Sequence, residues 1–95
     1  MNAVVRNKLE AADRFVARLV ASPAGKHIAK VILHGSVAEG TARPESDVDL
    51  LVFHLGEAEL VADFCDEMSF ETLMETTEIV EPLVFLWNDY RYPPS

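Results

Sequence analysis

Val5, Leu9, Ala12, Val16 and Leu19 step by four, three, four and three, the stripe of an amphipathic helix. Arg6, Asn7, Glu10, Asp13, Arg14 and Arg18 lie off that stripe and are predicted to face water. The periodicity stops at Ser22-Pro23-Ala24-Gly25, so the first helix is predicted over about residues 2–21. Ile28 to Leu33 reads as a buried strand that ends at Gly35-Ser36. A short helical turn is predicted at Val37–Glu39, closed by Gly40, and Thr41–Ser46, with Pro44 and two charges, as an exposed connection. Asp47–His54 is the second strand, and the short link predicts that it runs antiparallel to the first. Beyond Gly56, Leu60, Val61, Phe64, Cys65 and Met68 recur at helical spacing within a helix predicted over Glu57–Glu75. Glu57 and Glu59 suit its N-terminus, and Met68, Phe70, Leu73 and Met74 are expected in the core. Ile79–Trp87 is the third strand; Pro82 inside it predicts a sheet edge or a bulge, because proline cannot donate to a ladder. The predicted order is α-β-β-α-β, an α/β sandwich of three strands with helices mainly on one side.

Composition adds bounds. The 95 residues are expected to form a single domain, residues 1–95, with one modest core. Apolar residues at 49% and charged ones at 25% mark a globular chain rather than a disordered one. Eight Lys+Arg against sixteen Asp+Glu leave a net charge of −8, which repels nucleic-acid backbones and makes a duplex a poor ligand. The same charge suits cations or a basic partner protein. A single cysteine, Cys65, rules out an internal disulfide and fits a reducing compartment. With no basic-apolar leader and no apolar run near the roughly 20 residues of a membrane span, the expected location is the cytoplasm, without membrane association. Monomer and homo-oligomer are both compatible with this composition. Only Tyr92-Pro93-Pro94-Ser95 reads as a tail.

The chemistry concentrates in Gly35 to Asp49. In a strand, residues two apart share a face, so Asp47 and Asp49 are expected side by side while Val48 and Leu50 enter packing. Two such carboxylates are unfavourable together unless a cation or proton neutralises them, and magnesium suits the oxygen donors. Two ions about 4 Å apart can clamp the attacking and leaving oxygens of a phosphoryl or nucleotidyl transfer. Gly35 and Ser36 offer a backbone without an obstructing Cβ, free N–H groups and a hydroxyl, which suit a triphosphate. Alone, an Asp-x-Asp pair is more often a solvated strand end and a Gly-Ser an ordinary turn; their juxtaposition is what carries the signal.

The stretch His34-Gly35-Ser36-Val37-Ala38-Glu39-Gly40, followed by Ser46-Asp47-Val48-Asp49-Leu50-Leu51-Val52, resembles the signature of the DNA polymerase β-like nucleotidyltransferase superfamily. Within it the chain looks most like the minimal nucleotidyltransferases. That resemblance implies a polymerase β palm-like fold with a small mixed three-stranded sheet. It also implies phosphate binding by Gly35 and Ser36, and metal binding by Asp47 and Asp49. A third carboxylate from a later strand acts in the family as metal ligand and often as base. Glu81 is the choice here, because an unpaired charge inside an apolar strand is costly; Glu78, at the strand's start and on the opposite face, is its rival. The implied ligands are two Mg2+ ions and ATP or another NTP. Relatives of this kind often act as antitoxins that modify a tyrosine of a small helical HEPN-type toxin, which implies such a protein as partner. The chain also looks too short to carry its own acceptor-binding domain.

One departure is plain: many relatives have a basic residue where this chain has Glu39, and Arg43 is the nearby alternative cation. Two functional readings follow. In one the domain transfers NMP from NTP to a hydroxyl; in the other it is a catalytically inactive nucleotide- or partner-binding module that acts by sequestration. A metal-binding structural domain is a third reading. His27, His34 and His54 share no metal-ligand spacing and are expected to be structural, though His34 adjoins Gly35. Cys65 is expected as a buried hydrophobe. Trp87, Tyr90, Arg91 and Tyr92 form either an ordered strand end or a docking surface.

Overall fold

A computed structural model of the chain describes residues 2–93; of the expected tail, Pro94 and Ser95 lie outside the described residues. Helix α1 runs Ala3–Ala21, with Asn2 as its N-cap accepting from the Val5 N–H at 2.8 Å. Its buried seam is Val5, Lys8, Ala11, Ala12, Phe15 and Leu19, whereas Leu9 and Val16 are only partly buried against the core. The helix is therefore rotated slightly from the predicted stripe, and the rotation brings in Phe15 and a lysine. Arg18, expected to face water, instead donates to the buried Thr72 hydroxyl at 3.0 Å and pairs with Glu75 at 3.0 Å. Gly25 starts a 3-10 turn (Gly25–His27), and a Cβ there would lie 1.9 Å from the Val20 carbonyl oxygen, so the close approach of the turn to α1 requires glycine.

Strand β1 (Ile28–His34) leads into a short helix α2 (Gly35–Glu39), which starts two residues earlier than predicted and is closed by Gly40. Strand β2 (Val48–His54) starts one residue after Asp47, because the first inter-strand bond is the Val48 N–H to the Ile79 carbonyl at 2.8 Å. Helix α3 (Ala58–Thr76) and strand β3 (Val80–Leu86) follow. The last element is not the predicted strand end: Trp87–Arg91 folds back as a helical turn, α4, so Trp87 leaves the strand.

The sheet order is β1-β2-β3, with β1 antiparallel and β3 parallel to the central β2. The two-way arrangement follows from connection length: the β1–β2 link is short, whereas α3 supplies the long crossover that a parallel pair needs. Pro82 sits on the edge strand β3, where a missing donor is tolerated.

Helices α1 and α3 pack together on one face of the sheet. Val48, Leu50 and Val52 of β2, Val80 of β3 and Val31 and Leu33 of β1 meet Phe15, Leu19, Val61, Cys65 and Met68 there. On α3, Met68 is buried and Leu73 half-buried, but Phe70 and Met74 are 62% and 68% exposed, contrary to the expectation that all four enter the core. Helical geometry accounts for this: Val61, Cys65, Met68 and Thr72 already fill the inward face, and Phe70 and Met74 project from the other side. No described helix is long and apolar enough to cross a membrane.

Candidate functional site

The face of the sheet away from the two long helices is built in rows by strand register. Alternation along each strand puts His34, Asp49 and Glu81 in one row, Ile32, Leu51 and Leu83 in the next, and Lys30, Phe53 and Phe85 in the third. The first row is polar and the other two are largely apolar. Phe53 is only 3% exposed despite its place on this open face, because Phe85, Trp87 and Tyr90 surround its ring at centroid distances of 5.8, 5.8 and 4.5 Å. Leu83, Phe85 and Tyr90 remain about half exposed.

His34, Asp49 and Glu81, with Leu51 and Leu83 beneath, line a shallow cleft of about 270 Å³. Asp49 and Glu81 are direct partners in the parallel β2–β3 ladder. Neither has an ion pair among the described residues, and neither has Asp47. Two facing carboxylates without a cation repel each other, and the arrangement is favourable only when positive charge is brought between them.

Gly35 lies close against the Asp49 carboxylate. Its φ of +74° lies in the left-handed region, and a Cβ built on it would come 2.7 Å from Asp49 Oδ2. Glycine is thus required twice, for backbone conformation and for room beside the carboxylate. The following α2 has no side-chain cap at its start.

The predicted site residues are not all in one place. Asp49, Glu81 and Gly35 come together, and His34, expected to be structural, stands beside them. Ser36 and Asp47 are half-buried and do not line the cleft; Asp47 sits just ahead of the ladder that would have fixed its orientation. Glu78 precedes β3 and is committed elsewhere, to Lys8 at 2.7 Å. Glu39 borders a separate cleft with Asn2, Val5, Leu9 and Leu33, away from the carboxylates, and Arg43 is exposed. Of the remaining residues, His27 offers its carbonyl to the Leu55 N–H at 2.8 Å, and His54 is buried with Nδ1 unpartnered. Cys65 is buried as expected, and that burial, with a smaller contribution from the Asp66 charge, pushes its thiol up to about 11.

No three His, Cys, Asp or Glu side chains among the described residues are gathered into a ready-made metal cage. The donors present are nevertheless the right kind for a hard cation. Magnesium commonly takes one or two carboxylates and completes its shell with waters and substrate phosphates. The donor set of Asp49 and Glu81, with Asp47 adjacent, fits that use.

Sequence comparison agrees with this geometry. Residues 13–85 match the nucleotidyltransferase domain family. Neither the curated proteins nor the solved structures give a match. The matched segment takes in β1, β2 and all of β3 but Leu86, together with Gly35-Ser36 and Asp47, Asp49 and Glu81, which is well over half of the chain. By this match over residues 13–85, and with its three-stranded mixed sheet, the chain belongs to the nucleotidyltransferase domain family.

Proposed function

We propose that the protein transfers a nucleoside monophosphate from ATP, or another NTP, to a hydroxyl group with the help of magnesium. The observation that carries this reading is the cross-strand pair Asp49–Glu81, without an ion pair among the described residues, with Gly35 close against the Asp49 carboxylate. Asp47 and Asp49, with Glu81, would hold the metal, and Gly35 and Ser36 would take the phosphates. Bound magnesium would supply charge stabilisation at the reacting phosphoryl oxygens. Glu81 accepts the proton of the attacking hydroxyl; that oxygen bonds to the α-phosphorus, the bond to the β-phosphate bridging oxygen breaks, and pyrophosphate leaves. His34 offers a second polar group at the rim of the cleft.

The acceptor hydroxyl is proposed to reside on a separate protein. The apolar rows Ile32-Leu51-Leu83 and Phe53-Phe85 run directly from the carboxylates, and they offer an acceptor protein apolar surface beside Glu81. A helical HEPN-type protein, in a toxin–antitoxin pair, is the partner that the family resemblance favours. The same open face supports a second reading, in which the domain binds its partner without modifying it.

Calorimetric titration with ATP and magnesium, on wild type and Asp49→Asn, tests the proposal. Metal-dependent binding that is absent from Asp49→Asn supports the transferase reading. Partner capture that survives Asp49→Asn, with no nucleotide binding by wild type, supports the binder.

A further inference from the structure

Lys8 lies in the interior, 1% exposed, on a helix seam otherwise made of Val5, Ala12, Phe15 and Leu19. An ammonium group has three donors, and all three are used: to the Pro44 carbonyl at 3.1 Å, the Ser46 carbonyl at 2.6 Å and Glu78 Oε1 at 2.7 Å. These acceptors come from two different approaches to the sheet. Pro44 and Ser46 belong to the connection that delivers Asp47 and then β2; Glu78 belongs to the turn that delivers β3. The next contact along is the Val48 N–H to the Ile79 carbonyl at 2.8 Å, and one residue further the ladder places Asp49 against Glu81. Thr77, immediately before Glu78, has φ +63°, a region that β-branched residues rarely adopt, so this turn needs an anchor to hold its shape.

We propose that Lys8 is the positioning residue of the carboxylate cleft: it pins the entries to β2 and β3 and so sets where Asp47 and Asp49 stand relative to Glu81. The inference rests on the transferase reading above. Lys8 lies outside residues 13–85, the segment matched to the family, so the anchor comes from a part of this chain that the match does not cover. It acts through the backbone and touches neither nucleotide nor metal. Glu78 gains its role here as well, as the counter-charge that keeps the buried ammonium in place.

The test uses the full chain in three forms: wild type, Glu78→Gln and the double variant Lys8→Met/Glu78→Met. The double variant removes both charges together, so no buried charge is orphaned, while the Pro44 and Ser46 carbonyls lose their donor; circular dichroism checks that it is folded. Hydrogen exchange over residues 41–48 and Mn2+ affinity by electron paramagnetic resonance, with a non-hydrolysable ATP analogue present, are the readouts. Faster exchange over 41–48 and Mn2+ affinity lowered by about 10- to 100-fold are expected for the double variant. Glu78→Gln keeps both carbonyl bonds to Lys8 but removes the counter-charge of the buried ammonium, and is expected to fall between wild type and the double variant in both readouts. Unchanged exchange, or unchanged affinity in a double variant compared with a binding-competent wild type, overturns the positioning role. Absence of Mn2+ binding by wild type instead overturns the transferase reading, so the two failures are told apart.

Discussion

Glu78 and Glu81 stand three residues apart, at opposite sides of the same sheet edge, and their surroundings have little in common. Glu78 faces inward, where a buried ammonium meets it at 2.7 Å, and its charge is consumed in holding the fold. Glu81 faces the open side, where its neighbour across the ladder is another carboxylate, Asp49, and neither has an ion pair among the described residues. The same division runs across the sheet. One face is filled with Val48, Leu50, Val52 and Val80 against two helices; the other carries a polar row at one end and half-exposed Leu83 and Phe85 beyond it. A face whose charges are paired is spent on stability. A face whose charges and apolar groups are unpaired is stable only because the first face carries it, and it is free to bind.

Substitutions can break or sharpen this contrast. The largest effect is expected for Asp49→Asn, which should lower metal-dependent nucleotide affinity by more than the ~10- to 100-fold typical of outer-shell partners. The same change relieves the repulsion with Glu81, so thermal unfolding without metal should show stability unchanged or raised by about 0.5 kcal/mol. Loss of stability in Asp49→Asn would show that the open-face carboxylates hold the fold after all. On the packed face the pattern should invert. Leu50→Ala, at a side chain 2% exposed, should cost about 2–5 kcal/mol in urea unfolding. Nucleotide affinity should persist wherever that variant remains folded.

Alkaline pH probes the packed face in another way. The Cys65 thiol, at about 11 when folded against an ordinary value of 9.0, keeps its proton longer in the native state than in the unfolded chain. Its contribution is therefore constant below pH 9 and is lost as pH rises from 9 to 11, by about 2–3 kcal/mol. A Cys65→Ala variant should show a shallower decline than wild type over that window, when both are followed by denaturant unfolding. The smallest stability effect is expected at Leu83, 51% exposed on the open face, where Leu83→Ser should change stability by about 0.5 kcal/mol or less. If that face receives the acceptor protein, the same substitution should nonetheless weaken partner binding measured by calorimetry. A large stability loss would instead place Leu83 with the core.

Periodicity, connection lengths and small-residue turns were enough to read the order of elements, the antiparallel β1–β2 pair, the edge position of Pro82 and the burial of Cys65. These depend on local rules: alternation, helical spacing and the reach of a short link. The need for glycine at residue 35 was legible in the turn, but strand parity, which placed Asp47 beside Asp49, did not carry over, because β2 begins only at Val48 and Asp47 does not line the cleft. Lys8 was not read, although it completes a seam of three- and four-residue steps from Val5 through Ala12, Phe15 and Leu19. A lysine in an apolar seam is the signal that could have exposed it. Its partners lie 36, 38 and 70 positions away, so no local pattern could name them.

By itself, then, the sequence determined which segments become helix or strand, which residues carry charge or lack a Cβ, and the family to which they belong. Only the tertiary structure decided how those residues are shared out. It paired Glu78 with the buried Lys8 and left Glu81 across the ladder from Asp49, exposed Phe70 and Met74 because other residues had filled the inward face of α3, and folded Trp87–Arg91 back over Phe53. Each of these outcomes is a competition among distant groups for limited buried space and for a limited number of partners, and that competition is settled only when the chain packs.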